Sequence, residues 1–514
     1  MSVHGMLLDS AARRPSAIAL THEDRHVSFT ELAGEAARIA RFLREQGVRR
    51  GDRVALLLEN SPEYVAACFG IMQAGACCVA LNHANKAATH QALLRDSGAV
   101  ALWTGSRAAR DLAVIARDCP AIRFIVADGV DPVLLLPPGI AIHEPEAVCA
   151  GDPLHDAGEA GADDLALILY TSGSTGAPRG VVLTHGNLEA NTRQILAYLK
   201  LQVDDSVCCV LPFHYSFGNS LLLTHVRCGG RVVIENRFAF PQQVLATMVR
   251  EHCTAFSGVP SHFAILCGRT DFLECPPADL RQVTQAGGAM APDLARRIRE
   301  ALPPQVELHI MYGQTEASAR LASVPPERLR EKYGSIGRAI PGVSLTVRRP
   351  DGGECDVGET GEIVAAGPNI MRGYWNAPEE TAAVLGADGL HTGDLAYRDA
   401  DGYLFIVDRM KNMIKAGANR VGSIEIEETL LAHPAVMEAC VVGVPDALLG
   451  EAIEAWVVTV DPSFRDEQVL LRHCAGALAA FKIPRCLHFV EALPRNASGK
   501  VLKAVLRGTP TSSE

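Results

Sequence analysis

Thr171-Ser-Gly-Ser-Thr-Gly-Ala-Pro-Arg-Gly180 packs four hydroxyl side chains, three glycines and one cation into ten residues, a composition that makes a poor core and a good cradle for phosphate. Gly173, Gly176 and Gly180 tolerate positive φ and let backbone N–H groups approach an anion. Thr171, Ser172, Ser174 and Thr175 add hydroxyl donors, and Arg179 supplies the cation. The apolar run 165–170 before the loop reads as a buried strand, and 180–183 after it as a second. Thr184 or Asn187 then caps a helix reaching Lys200. A P-loop would require Lys and then Ser or Thr directly after Gly176; Ala177 and Pro178 stand there, which argues against a P-loop NTPase. Strands on both sides argue equally against a flexible Ser/Gly linker.

Outward from the loop, helix and strand patterns alternate. Ser28 and Glu31 form a capping box, Leu32, Ala36, Ile39 and Leu43 share one helical face, and Gly47 stops that helix. A strand at 53–58, a helix at 61–74 and a strand at 77–81 continue a βα rhythm that recurs near 208–211, 230–234 and 254–259, as expected for sheets covered by helices. No repeat of fixed period is present, which excludes a solenoid.

At 514 residues the chain suits an α/β architecture with one large domain and one smaller. A domain boundary is expected next to Asp408, giving 1–408 and 409–514. After it come a helix at 423–432, strands at 436–443 and 453–460, a helix at 468–480 and a final strand, a compact α+β module. The formal net charge of -11 and the lack of a basic run disfavour nucleic acid and anionic membranes as partners. The first residues lack a basic region and an apolar stretch, and runs such as 133–136 are short, so a cytoplasmic protein with no transmembrane segment is expected. The 15 cysteines show no CxxC spacing and read as reduced and mostly buried.

The loop and the following Gly180-Val-Val-Leu-Thr-His-Gly-Asn-Leu188 resemble the phosphate-binding signature of the adenylate-forming superfamily. That superfamily comprises acyl-CoA synthetases, aryl-CoA ligases, luciferases and peptide-synthetase adenylation domains. Further motifs appear in the family's order: Tyr312-Gly-Gln-Thr-Glu316, His391-Thr-Gly-Asp394, Asp408-Arg-Met-Lys411, Ile414-Lys-Ala-Gly417 and Pro494-Arg-Asn-Ala-Ser-Gly-Lys500. The resemblance covers nearly the whole chain. It implies a large N-terminal domain of sheets and helices and a small mobile C-terminal domain, with the active site between them.

It also implies chemistry. A carboxylate is a poor acyl donor, and joining it to AMP supplies a stabilised leaving group. By resemblance, loop 171–180 grips the β- and γ-phosphates of ATP, Glu316 binds Mg2+, and Thr315 contacts the α-phosphate. Asp394 accepts the ribose hydroxyls with Arg409 assisting. Tyr312, followed by Gly313 and Gln314, lies against adenine opposite Gly287, Gly288 and Ala289. Lys500 bridges the substrate carboxylate and the α-phosphate. Lys411 matches the hinge, and Lys415, Gly417 and Ala418 fall on the path of a pantetheine thiol, from CoA or from the phosphopantetheine of a separate carrier protein.

His214, Phe217, Gly218, Val259, Pro260, Met290 and Ser318, with Gln285, fall at acyl-pocket positions. His214 stands where α-amino-acid enzymes carry Asp, so a fatty or aryl acid is expected. His214 itself reads either as a pocket wall or as a satisfied histidine. Three departures stand out: Arg179 where Lys is usual, Ala418 in the second place of a Gly-Gly pair, and Ser423 in place of a common proline. Lys503 reads as one more solvated tail lysine.

The expected activity is activation of a carboxylic acid by ATP, with release of pyrophosphate and transfer to CoA. Delivery to a carrier protein is the nearer alternative, and a non-catalytic nucleotide-binding protein on the same fold the more distant one. Glu316, Asp394, Arg409 and Lys500 together argue against the latter. Assembly as a homodimer is left open.

Overall fold

The computed structural model describes the chain except residues 1, 110, 130–135, 155, 157, 159, 173–177, 418, 447–449, 496–500 and 509–514. Among the described residues the strands form four sheets. An eight-stranded sheet runs, edge to edge, Gly373–Tyr374, Pro178–Thr184, Leu165–Ser172, Cys77–Ala80, Arg53–Leu57, Ala101–Thr104, Phe124–Ala127 and Ala141–His143. A nine-stranded sheet carries Ser206–Cys209, Ala255–Gly258, Gln282–Gln285 and Glu307–Tyr312 side by side, the four strands running parallel. The continuous burial of the first three, polar residues included, matches parallel strands covered on both faces.

The core sits between these two sheets. The helix Pro62–Gln73 is buried almost all round, as a helix sandwiched between layers must be. It packs on Phe29–Glu45, whose Ser28 and Glu31 form the reciprocal capping box. Around the phosphate-type loop, Thr184 caps the helix His185–Leu199, and Asn187 bonds back to the Thr184 N–H. The alternative of Asn187 as the cap is thereby settled in favour of Thr184.

A third sheet joins Ser344–Arg348, Gly361–Ala366, Gly389–Arg398 and Leu404–Arg409. A fourth, built on the hairpin Val436–Asp446 and Gly450–Thr459 with Cys486–Phe489 alongside, packs on Ser423–Leu431 and Glu467–Ala477 around its own apolar cluster. The third and fourth sheets are joined by the short turn Met410–Asn412. All cysteines are free and most are buried. Among the described residues no helix is long and apolar enough to cross a membrane.

Gly70 fixes the spacing of the two central helices. A Cβ there would lie 2.7 Å from the Ala36 carbonyl oxygen and 2.8 Å from the Ile39 Cβ. Overpacking costs about 1–3 kcal/mol against about 0.5–1 kcal/mol gained by replacing a helical glycine. Gly70→Ala is therefore expected to lower stability by about 1–2 kcal/mol; a melting temperature equal to or above wild type would contradict this spacing argument.

Candidate active site

A cavity of about 1750 Å3 opens between the large sheets and the C-terminal unit. Strand register builds its centre. Gly389–Arg398 and Leu404–Arg409 pair antiparallel with Asp394 opposite Arg409, and the Arg409 Nε sits 2.9 Å from Asp394 Oδ1. Tyr312, at the end of the strand Glu307–Tyr312, donates its hydroxyl to Asp394 Oδ2 at 2.6 Å. Burial first, and then the Asp394 charge, hold the Tyr312 hydroxyl well above its ordinary range, so it stays a proton donor.

The short turn Thr315–Ala317 follows directly. Thr315 Oγ1 lies 3.2 Å from Ser216 Oγ, and Glu316 Oε1 accepts a 2.9 Å hydrogen bond from the Tyr374 hydroxyl. Tyr374 arrives through pairing of Gly373–Tyr374 with Pro178–Thr184, and Arg179 stacks over its ring at 5.4 Å. Thr171 and Arg179 face each other in the hairpin register and both line the cavity. Gly173, Ser174, Thr175, Gly176 and the Ser172 side chain lie outside the described residues.

Charges of both signs converge here. Arg179, Arg409 and Lys411 line the cavity with Glu316 and Asp394. Burial, then Arg409 and Arg179, pull the Lys411 ammonium below the usual lysine range, with Asp394 and Glu316 partly offsetting. Such a cluster is suited to a polyphosphate and an oxygen-loving cation. Gly287, at φ +83, Gly288 and Ala289 form the facing wall, and Gly313 and Gln314 complete the floor. A Cβ on Gly313 would meet the Ala319 carbonyl oxygen at 1.9 Å, so the chain crosses itself there only with glycine.

Of the expected acyl-pocket positions, Phe217, Gly218, Val259 and Pro260 line the cavity. His214, Met290 and Ser318 do not. His214 is buried, its ring 4.4 Å from that of Tyr215 and 5.8 Å from that of His83, and burial pulls its pKa down to about 3, leaving a neutral ring. Its Nε2 has no hydrogen-bond partner among the described residues. Met290 packs into the core, and Ser318 gives its hydroxyl to the Asn369 carbonyl at 2.7 Å. Gln285 likewise turns inward, donating to the Gly288 carbonyl at 2.7 Å.

Arg495 and Val501, joined by a β-bridge, both line the cavity, so the chain enters and leaves the 496–500 segment at its wall. Lys500 and Ala418 lie outside the described residues. Lys415 is exposed with its N–H on Glu451, and neither it nor Gly417 reaches the wall.

The expectation of a solvated Lys503 is corrected. Its ammonium donates to Glu427 at 2.8 Å, Ser423 Oγ at 2.6 Å and the Val441 carbonyl at 3.2 Å. Ser423 in turn gives both its N–H, at 2.6 Å, and its hydroxyl, at 2.7 Å, to Asp408 Oδ2. A proline could make neither bond, so the departure at Ser423 ties the last strand before the turn to the C-terminal unit. Sequence reasoning missed Lys503 and Tyr374, whose side-chain partners lie 58 to 80 residues away and carry no local pattern.

Burial, opposed by Lys503, raises the Glu427 carboxyl above its usual value. A raised folded pKa adds stability below the unfolded value that is lost as pH rises through the folded one. Lys503→Met removes the opposing cation and drives the folded pKa higher. The variant is expected to lose about 3–5 kcal/mol at neutral pH, with a deficit against wild type that shrinks on acidification toward about pH 4. A deficit independent of pH in denaturant titrations would contradict the pairing.

A model of AMP-binding enzymes matches residues 7–375, and one of their C-terminal domain matches 425–500. The chain is 35% identical over 500 residues to a feruloyl-CoA synthase of an Amycolatopsis species, covering 97% of this chain and 96% of that one. A solved anthranilate CoA ligase in complex with anthranoyl-AMP superposes with a TM-score of 0.91 at 26% identity, over 99% of this chain and 97% of that one. An O-succinylbenzoate coenzyme A synthetase from Bacillus subtilis, in complex with ATP and magnesium ion, gives 0.83 at 31% identity over 98% of both chains.

Proposed function

The chain belongs to the AMP-binding enzymes, the adenylate-forming family, and we propose that it joins a fatty or aryl acid to CoA through an acyl-adenylate. The observation that carries this reading is the shared cavity in which Tyr312, Asp394 and Arg409 meet Glu316, Arg179 and Lys411. Its relatives named for CoA-ligase activity support CoA as the acceptor.

In the first step a carboxylate oxygen attacks the α-phosphorus of ATP, the new O–P bond forms, and the bond to the β-phosphate oxygen breaks to release pyrophosphate. Loop 171–180 and Arg179 hold the departing phosphates, and Thr315 orients the α-phosphate. Asp394 accepts from the ribose hydroxyls, and Arg409, paired with it at 2.9 Å, orients it. Tyr312 packs against the base, opposite the wall formed by residues 287–289. Lys500 carries the positive charge that meets the developing charge between carboxylate and α-phosphate. In the second step the CoA thiol, losing its proton, attacks the acyl carbon, and AMP leaves with the former carboxylate oxygen. Reorientation of the C-terminal unit about Lys411 exchanges Lys500 for the thiol path between the steps.

Mg2+ fits as a companion of the nucleotide. Among the described residues no group of three or more His, Cys, Asp or Glu side chains gathers to hold a metal alone. Glu316 offers one carboxylate facing the cavity, the donor set that Mg2+ takes when phosphates and water complete its shell. When bound there it neutralises phosphate charge.

ATP–pyrophosphate exchange across a panel of fatty and aryl acids, followed by thioester detection with CoA, tests the reading. Exchange without CoA thioester would overturn the acceptor, and no exchange with any acid would overturn the activity. Lys500→Ala is expected to lower exchange by at least about 100-fold with unchanged melting, the scale of removing one charge-stabilising donor; wild-type exchange would remove Lys500 from its role. Arg179→Lys is expected to retain most activity, whereas Arg179→Ala raises the KM for ATP; equal ATP kinetics in Arg179→Ala would contradict the grip assigned to it.

A further inference from the structure

Arg320 is a feature of this region that the reaction leaves unexplained. Its side chain is sealed at 2% exposure, and arginine is almost never buried so fully unless paired. Yet among the described residues no carboxylate forms an ion pair with it. Its neighbours are neutral: the Phe217 ring, 4.0 Å from the guanidinium carbon, the Ala319 carbonyl, to which Nη1 donates at 3.4 Å, and the Tyr198 hydroxyl. Its Nε has no acceptor among the described residues.

The backbone, not the charge, holds this residue in place. Asn191 accepts from the Arg320 N–H at 3.2 Å and donates to its carbonyl at 3.0 Å. Asn369 donates to the same carbonyl at 3.1 Å. The turn leading in is strained, with non-glycine Ser318 at φ +62. Buried side chains and a strained turn thus hold a cation at a place that has no anion among the described residues. An isolated buried charge is costly, and it persists where something of opposite sign arrives.

The location says what arrives. The guanidinium borders a small cavity of about 10 Å3 whose wall includes Ser220, Ser257, Thr284 and Met311. Met311 also lines the large cavity, as does Phe217, the ring that covers Arg320. Phe217 and Met311 are therefore the partition between the acid end of the active site and a cation that has no ion-pair partner among the described residues and shares a cavity wall with the hydroxyls of Ser220, Ser257 and Thr284.

We propose that Arg320 is a specificity-determining residue at the far end of the acid pocket, and that the acid this enzyme activates carries a second carboxylate which pairs with it. The inference rests on the ligase reading above and names the substrate class within it. Phe217 and Met311 turn aside to admit the distal carboxylate, and the Ser257–Thr284 hydroxyl pair, bonded to each other at 2.7 Å and keeping one proton to donate, adds a hydrogen bond. A monoacid of the same length brings nothing to the guanidinium, so binding it leaves the buried cation unpaired, the arrangement by which sites reject analogues that lack a polar group.

Exchange kinetics on matched pairs test this: decanoate against decanedioate, and 4-methylcinnamate against 4-carboxycinnamate. The wild-type kcat/KM is expected to favour the diacid by at least about tenfold. Arg320→Met and Arg320→Gln are expected to collapse that ratio to one or below, with Arg320→Lys retaining part of it. A wild-type ratio at or below one overturns the subsite and leaves the ligase reading intact, a result that stands whether or not the variants fold. A diacid preference unchanged in Arg320→Met also overturns it. Absence of exchange with every acid overturns the ligase reading and this inference together.

Discussion

The carboxylate of Asp394 is nearly sealed from solvent at 3% exposure, and a sealed charge must be met on its oxygens by donors. Tyr312 meets one and Arg409 the other. That requirement ties the last parallel strand of the nine-stranded sheet to two paired strands of the third sheet, one of which ends at the turn to the C-terminal unit. A slip of one residue in the Asp394 and Arg409 register would turn one of the two side chains to the opposite face and leave the other charge buried alone. The same pairing delivers a hydrogen-bond acceptor, a ring and a cation to one wall of the cavity.

The rest of the site is arranged around that triad by charge. Arg179, Lys411 and Arg409 approach from three different segments, with Glu316 tethered by Tyr374 between them. Burial first, and then the neighbouring Arg409 and Arg179, lower the Lys411 ammonium, with Asp394 and Glu316 only partly offsetting them. Phosphate groups offset these cations, so nucleotide binding and the stability of this wall are linked. Across the turn, Ser423 adds a second tie: both its donors converge on Asp408, and Lys503 holds Ser423 and Glu427 in turn. The residue next to the ribose-side Arg409 is thereby connected to the root of the segment carrying Lys500.

Much of this was legible in the sequence wherever the signal is local. The strands flanking 171–180 follow from apolar runs, and the Ser28 and Thr184 caps from hydroxyls three residues before a partner. Tyr312, Glu316, Asp394 and Arg409 stand out because each sits in a short motif and the motifs occur in one fixed order. What escaped depends on long-range pairing. Nothing near Lys503 announces Glu427, and nothing near Tyr374 announces Glu316, because the fold brings them together only after sheets have formed. His214 could be read two ways because a histidine's role depends on what surrounds it; burial among rings makes it a neutral packing group off the cavity wall. Arg320 escaped for the opposite reason: it is a sealed guanidinium with no ion-pair partner among the described residues, which only burial reveals.

The central claim is that this cavity forms an acyl-adenylate, in which a carboxylate oxygen becomes bonded to the α-phosphorus. Turnover of an acid labelled with oxygen-18 in its carboxylate, with ATP and CoA, tests it most directly by mass spectrometry of the nucleotide product. The account predicts AMP carrying one labelled oxygen and unlabelled pyrophosphate. Unlabelled AMP, with the displaced labelled oxygen in inorganic phosphate, pyrophosphate or water, would contradict it.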